Sequence, residues 1–291
     1  MSGLPKITLV TPSFNQARFL PATLASVLDQ KYPHLEYLVL DGGSSDGSPA
    51  ILKSLASQLA FTISQKDGGQ YDAINQGFRR GTGEILGWLN SDDQHLPWTL
   101  RTVGEIFRDF PAVDWISSLY PMALNEEGHP VACRHCSSFS GTGFLRGENL
   151  PGGTWPAGEF IQQESTFWRR SLWDRIGGNI DPAFPLAGDF DLWARFFASG
   201  ARLTGVSLPL GAFRFQKNQK TSLQFDAYFQ EAKKSLLLRG GRLPSGPDLF
   251  RLRKLDHARQ WFGRRYQRAL RGADRPNILR HDGRQGWTLG S

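Results

Sequence analysis

The stretch that most narrows what this chain can become lies at 84–93. Glu84-Ile85-Leu86-Gly87-Trp88-Leu89 is apolar after its first residue, shows no polar alternation, and runs straight into Asn90-Ser91-Asp92-Asp93. Such a run suits an interior strand covered on both faces, the kind a parallel sheet needs. Ligands of open α/β sheets sit at the carboxyl ends of strands. Two adjacent carboxylates at such an end repel each other and cost desolvation unless a cation or hydrogen-bond donors meet them. A hard divalent ion bridging a carboxylate to a diphosphate satisfies both demands. The plainer reading is a strand end followed by an Asp N-cap for a helix near 97. The stretch alone admits both.

The surrounding pattern builds the sheet. Ile7-Thr8-Leu9-Val10-Thr11 reads as a first strand ended by Pro12. Phe19, Leu20, Leu24, Val27 and Leu28 recur at helical spacing over 17–30. A second strand at 35–40 ends in Asp41, and Gly42-Gly43-Ser44-Ser45-Asp46-Gly47 turns into a helix over 48–59. A strand at 61–64, a loop 66–70 and a helix 71–80 follow, and Gly81-Thr82-Gly83 leads into the strand at 84. This alternation predicts an α/β fold with a Rossmann-like, mostly parallel central sheet flanked by helices. Three strand ends are polar: Thr11-Pro12-Ser13, Asp41 and Asn90 to Asp93. In a parallel sheet they share one edge, which points to a binding cleft. Asp41 alone also reads as an ordinary turn residue before two glycines. No G-x-G-x-x-G and no Walker A sequence follows the first strand, which argues against a dinucleotide fold or a P-loop kinase.

The second half is less periodic. A helix is expected over 98–110, strands at 113–116 and 165–170, a helix from 188 to 199, short strands at 202–206 and 212–215, and helices at 225–238 and 248–270. Six Gly and two Pro fall between Gly141 and Gly158, predicting a long functional or mobile loop. The chain is 40% hydrophobic and 12% aromatic, enough for a real core, so wholesale disorder is excluded. No apolar stretch approaches the roughly 20 residues that span a bilayer. The polar start Met1-Ser2-Gly3-Leu4-Pro5-Lys6 does not read as a signal peptide, and two cysteines suit a reducing compartment, so the expectation is cytoplasmic. Fifteen Lys/Arg and four Asp from Lys233 to Ser291 give that segment a net +11; against +7 overall, the remainder stands at −4. The basic amphipathic pattern at 248–270 can lie on an anionic membrane at the inner face of the cell membrane, or pack on the domain with a solvated basic side. The end, 275–291, is expected to be disordered.

Taken in order, Ile7 to Asn15, Asp41 to Gly47, Asp67-Gly68-Gly69-Gln70-Tyr71-Asp72-Ala73-Ile74-Asn75-Gln76-Gly77 and Asn90-Ser91-Asp92-Asp93 resemble the successive motifs of family 2 glycosyltransferases, inverting enzymes of the GT-A fold. The resemblance covers roughly residues 5–225. It implies a glycosyltransferase domain at 1–225, with a nucleotide-sugar half at 1–110 and an acceptor half at 111–225, and a helical basic extension at 226–291. It further implies a UDP-sugar donor and a glycan or lipid-linked acceptor, with no nucleic-acid partner. By resemblance, Thr11, Pro12, Phe14 and Asn15 line the base and ribose pocket, and Asp41 accepts from the uracil imide. Asp67, Asp72 and Asn75 line the sugar and diphosphate side. Asn90, Ser91 and Asp92 occupy the place of the family's Asp-x-Asp motif, with Asp92 the ligand of Mn2+ or Mg2+ and Asp93 beside it. Asn90 and Gly42 each replace an Asp of the pattern, and Gln216 stands where relatives often carry a His.

An inverting transfer needs a base for the acceptor hydroxyl. Gly188-Asp189-Phe190-Asp191-Leu192-Trp193 matches the family's place for it, with Gly188 where Glu often stands; Asp189 is the expected base and Asp191 the second candidate. Asp189 can equally be an N-cap. Cys133-Arg134-His135-Cys136 with His129 crowds too tightly for the two spaced ligand pairs of structural zinc. Trp155, Trp168 and Trp193 can stack on acceptor sugars or fill the core. The competing readings are nucleotidyl transfer, which wants a Gly-rich basic loop where Pro12-Ser13-Phe14-Asn15 stands, and a sugar-binding protein without catalysis, which the presence of Asp92 and Asp189 opposes.

Overall fold

The computed structural model describes residues 3–136, 139–150, 160–217, 219, 223–245, 277–281 and 286–290. The first third alternates as the pattern predicts: β1 (Ile7–Ser13), α1 (Leu20–Leu28), β2 (Leu35–Asp41), α2 (Ser48–Leu55), β3 (Phe61–Ser64), α3 (Gln70–Arg80) and β4 (Ile85–Trp88). There follow β5 (Gln94–His95), α4 (Thr99–Asp109), β6 (Trp115–Ser118), β7 (Met122–Leu124), β8 (Pro130–Cys133), α5 (Gly141–Leu145), β9 (Thr166–Arg169) and α6 (Arg170–Arg175). The remaining elements are α7 (Gly188–Ala198), β10 (Leu203–Val206), β11 (Gly211–Arg214), α8 (Phe225–Leu238), β12 (Asn277–His281) and β13 (Trp287–Gly290).

Among the described residues, nine strands form one sheet in the order β13-β12-β10-β6-β9-β4-β1-β2-β3. β1 pairs parallel with both β2 and β4, so the strand order reverses between β1 and β4. A crevice opens outside the carboxyl ends of strands at such a reversal. β9 runs antiparallel between β4 and β6. Alternate residues of the apolar strands enter two cores: Val10, Leu86 and Trp88 face α3 and α7, whereas Leu9, Ile85 and Leu89 face α1 and α4. Gly87 in β4 is dictated by this layering, because a Cβ there would stand 2.7 Å from the Phe167 ring of β9. A second sheet, β5-β11-β7-β8, was not expected from periodicity; it clips the loop after β4 to the far half of the chain through Gly211↔His95.

Two expectations are corrected. The end is not wholly disordered: β12 lies parallel to β10 (Val206↔Leu279) with β13 antiparallel beside it, and Leu279 is fully buried. The Ile278-Leu279 pair covers the edge that β10 would otherwise leave open. The glycine-rich stretch is partly helical, since α5 buries Phe144 and Ser140 caps it by accepting from the Gly143 N–H at 3.0 Å. The rest of that stretch, 151–159 with Trp155, and the basic helix expected at 248–270 lie outside the described residues. α8 starts at Phe225, and its Ala232 and Leu236 are buried in the core that holds α7. No described helix is long and apolar enough to cross a membrane.

If β12 is part of the folded sheet, Leu279→Ala should destabilise the protein by about 2–5 kcal/mol. Urea unfolding followed by tryptophan fluorescence checks this, and an unchanged midpoint would place the strand outside the cooperative fold.

Candidate active site

A cleft of about 1250 Å3 opens at the carboxyl edge of the sheet, over the β1/β4 reversal, and reaches across to α7 and α8. Pro12, Phe14, Asn15, Asp67, Asn90, Ser91, Asp92, Asp93 and Asp189 all line it. Phe14 is 59% exposed at the mouth. Asn15 adopts a left-handed φ of 53°, a conformation Asn tolerates better than most residues. Its backbone N–H donates to Ser44 Oγ (2.7 Å) and its Oδ1 accepts from the Ser45 N–H (2.9 Å), tying the β1 loop to the β2 loop.

The turn after β4 is fixed from four directions. Thr23 Oγ1 donates to the Ser91 and Asp93 carbonyls at 2.9 and 2.7 Å. Gln70 Nε2 donates to Asn90 Oδ1 at 2.9 Å. Asp93 accepts from the Arg214 N–H (2.9 Å) and Asn90 Nδ2 (3.3 Å), while Asp92 Oδ2 accepts from Gln216 Nε2 at 2.5 Å. Gln216, in the place of the family's histidine, therefore meets the Asp92 carboxylate as a donor. Burial pushes the Asp92 carboxyl up, and pushes Asp93 well up with the help of the Asp92 and Glu164 carboxylates beside it.

Several expected residues stand behind the cleft wall. Thr11 is fully buried and hydrogen-bonds Tyr37 at 2.9 Å. Asp41 is 1% exposed, and its oxygens accept from the Ser44 N–H, Ser44 Oγ and Ser64 Oγ, so it holds the 42–47 turn. Asp72 accepts from the Gly68 N–H and Gln76 Nε2, both at 2.9 Å. Asn75 clamps the backbone of Ile180 with both ends of its amide, at 2.7 and 2.9 Å. These four act as struts for residues that do reach the cleft. Trp168 and Trp193 pack in the core. Cys133 is exposed and Cys136 buried, neither in a disulfide, and among the described residues no group of three His, Cys, Asp or Glu side chains is arranged to hold a metal.

The two candidate bases separate sharply. Asp191 is fully buried and faces away from the cleft; it accepts from Arg239 Nε (3.0 Å) and Ser235 Oγ (2.8 Å) and pairs with Arg195 (3.0 Å). It is a structural anchor. Asp189 faces the cleft, where burial raises its carboxyl to about 6. Tyr228 of α8 donates to its Oδ1 at 3.2 Å, and the Asp189 N–H donates to the Tyr71 hydroxyl at 3.3 Å. Both phenols are pushed well above their ordinary range by burial and by the Asp189 charge, so they remain O–H donors. Gly188 explains its own departure from the family pattern: a Cβ there would stand 2.6 Å from the Tyr71 ring, so no Glu fits.

Sequence reasoning missed Tyr228, Glu231 and Glu164. Tyr228, Glu231, Ser235 and Arg239 recur at helical spacing on one face of α8 and its C-cap, and all four reach toward α7: Glu231 accepts from the Leu186 and Ala187 N–H groups at 2.9 Å. That polar i, i+3, i+7, i+11 spacing was available as a signal. Glu164 lines the cleft floor, and its burial beside Asp189 and Asp92 raises it to about 8.

Comparison with known proteins agrees with this geometry. A family model described as Glycosyl transferase family 2 matches residues 8–136. An uncharacterized glycosyltransferase of Mycobacterium tuberculosis is 30% identical over 190 residues, covering 65% of this chain and 68% of that one. Glycosyltransferase AglE of Haloferax volcanii is 33% identical over 111 residues, and the match spans 36% of each chain. Among solved structures, residues 1–349 of S. aureus TarS in complex with UDP-GlcNAc superpose with a TM-score of 0.62 at 15% identity, over 92% of this chain and 76% of that one. A mannosyltransferase from Pyrobaculum calidifontis in complex with GDP-Man and Mn2+ gives 0.54 at 18% identity, over 92% and 84%. The fold is GT-A, and the protein is a glycosyltransferase. The chain belongs to glycosyl transferase family 2.

The two aspartates of α7 should part company on substitution. Asp191→Ala leaves Arg195 and Arg239 without their buried partner and should cost about 3–5 kcal/mol of stability. Asp189→Asn removes a buried charge and should leave Tm equal or higher. Thermal denaturation of both variants checks the assignment, and equal losses would contradict it.

Proposed function

We propose that this protein is an inverting transferase that moves a sugar from a nucleotide-sugar, UDP-linked by first preference, to a hydroxyl of a glycan or glycolipid acceptor. The observation that carries the reading is that one cleft holds both the acidic turn at Asn90-Ser91-Asp92-Asp93 and the buried base candidate Asp189. Pro12, Phe14 and Asn15 form the nucleotide wall at the end of β1, and Asp67 and Asn90 face the ribose and diphosphate. Thr11, Asp41, Asp72 and Asn75 contribute by holding those walls.

The chemistry follows from the placement. Asp189 takes the proton of the acceptor hydroxyl, the oxygen attacks the anomeric carbon, and the bond from that carbon to the diphosphate oxygen breaks with its electron pair leaving on the diphosphate. Attack and departure on opposite faces invert the configuration. The donor set suits a hard divalent cation: burial raises the Asp92 carboxyl despite the Gln216 donor and the Arg214 charge, and such ions are held by one or two carboxylates together with phosphate oxygens. Asp92 would hold Mn2+ or Mg2+ there, and the ion when bound supplies neutralisation of the leaving diphosphate. Phe14, Phe160 and Phe225, 59%, 51% and 40% exposed, line the cleft and offer apolar faces to a sugar ring or lipid chain of the acceptor. Assembly of a surface polysaccharide is the setting that fits such an acceptor.

Calorimetry with UDP, GDP, dTDP and CMP, each with and without Mn2+, tests the donor side. UDP binding that requires Mn2+ and is lost in Asp92→Asn is the expected result, and binding of none of them would refute the reading. The base must be unprotonated to work, and its carboxyl sits near 6, so kcat/KM should rise with pH through about 6. Asp189→Asn should lower kcat by about 10²–10⁴-fold. An acid limb that survives in that variant would assign the base elsewhere.

A further inference from the structure

Glu164 occupies the turn just before β9 and is 2% exposed, yet it lines the cleft floor. Its Oε1 is buried and has no hydrogen-bond partner within the described protein. The strand opposite packs closely on it: a Cβ at Gly211 would stand 2.8 Å from Glu164 Cγ and 2.5 Å from its carbonyl oxygen. The charges that bear on it are carboxylates, Asp92 from the turn after β4 and Asp189 from α7, and Asp93 feels it in turn. His95 beside its backbone is fully buried, and burial drives that imidazole down to about 3, so it carries no charge. A carboxyl in such a place is costly to keep, and an apolar residue of similar size fills the space more cheaply.

On the nucleotide-sugar reading, the transferred sugar lies between the acidic turn and Asp189. If the nucleotide-sugar reading is right, its anomeric carbon must stand between the diphosphate held near Asp92 and the acceptor oxygen held near Asp189. Glu164 is on the floor between these two. We propose that Glu164 is a specificity-determining residue whose unpartnered carboxyl oxygen exchanges a hydrogen bond with a hydroxyl of the donor sugar. A buried carboxyl oxygen that no protein group meets is free to accept a hydrogen bond from a sugar hydroxyl. A site that hydrogen-bonds a substrate hydroxyl rejects the analogue lacking it, because the site's own polar group is then left unpaired.

The inference rests on the nucleotide-sugar reading, and the test separates the two. Wild type, Glu164→Gln and Glu164→Leu of the full chain are titrated calorimetrically, in Mn2+, with UDP, GDP, UDP-glucose, UDP-galactose, UDP-GlcNAc and GDP-mannose, and their Tm values are measured. Wild type should bind one sugar nucleotide at least tenfold more tightly than its epimers and than the free nucleotide. Glu164→Leu should lose that tenfold margin while keeping nucleoside diphosphate affinity within about twofold, and its Tm should be equal or higher because an unpaired buried carboxyl has gone. Glu164→Gln, which keeps a donor and an acceptor, should retain most of the margin. A Glu164→Leu protein that keeps the sugar margin, loses the nucleotide as well, or melts several degrees lower overturns the proposal. Failure of wild type to bind any nucleotide overturns the underlying reading and the inference with it.

Discussion

Trp193 of α7 lies between Trp88 of β4 and Trp115 of β6, its ring 5.9 Å from the first and 5.5 Å from the second at interplanar angles of 9° and 25°. Trp168 of β9 sets its edge against both Trp88 and Trp193. Such pairs add about 0.5–1.5 kcal/mol each beyond the area they bury. Their larger consequence is geometric. Trp88 stands two residues before Asn90, and Trp193 one helical turn after Asp189. The stack therefore locks the acidic turn and α7, about 100 residues apart in the chain, to one another. Rigid aromatic packing leaves little room for drift, which a reaction between two ends of a cleft requires.

On that frame the protein gathers four buried carboxyl groups. Asp92, Asp93, Glu164 and Asp189 are all pushed up by burial, and each raises at least one neighbour or is raised by one. The fold offsets part of this locally, through Gln216 on Asp92, the Arg214 N–H on Asp93 and Tyr228 on Asp189. Such sites commonly lower stability in exchange for function. The α8 face carrying Tyr228, Glu231, Ser235 and Arg239 shows the complementary device, in which every charge near the base loop is met by a partner.

Much of this was legible in the chain. The largely apolar runs at β1, β2 and β4 specify strands of the sheet interior, and the 3.6-residue pattern of α1 and α4 follows from one face packing on the sheet. The order of polar strand ends placed the cleft. What misled was composition: the basic, glycine- and arginine-rich end reads as solvated, yet Leu279 completes the edge beside β10. Asp41 and Asn75 likewise carry the residue types of a binding site but spend their hydrogen bonds on Ser44, Ser64 and the Ile180 backbone.

The sequence by itself determined the α/β order, the acidic turn at 90–93 and the helix that bears Asp189, because each is written in local periodicity or in contiguous residue types. Only the tertiary structure decided which carboxylates meet solvent-filled space. Asp189 and Asp191 are two positions apart on one helix, so they project to nearly opposite sides. Which side is the cleft depends on Arg239 and Ser235 arriving from α8, more than forty residues later. Glu164 was hidden for the same reason. Its surroundings come from Asp92, Asp189 and the backbone at Gly211, distant segments that meet only when the sheet is assembled.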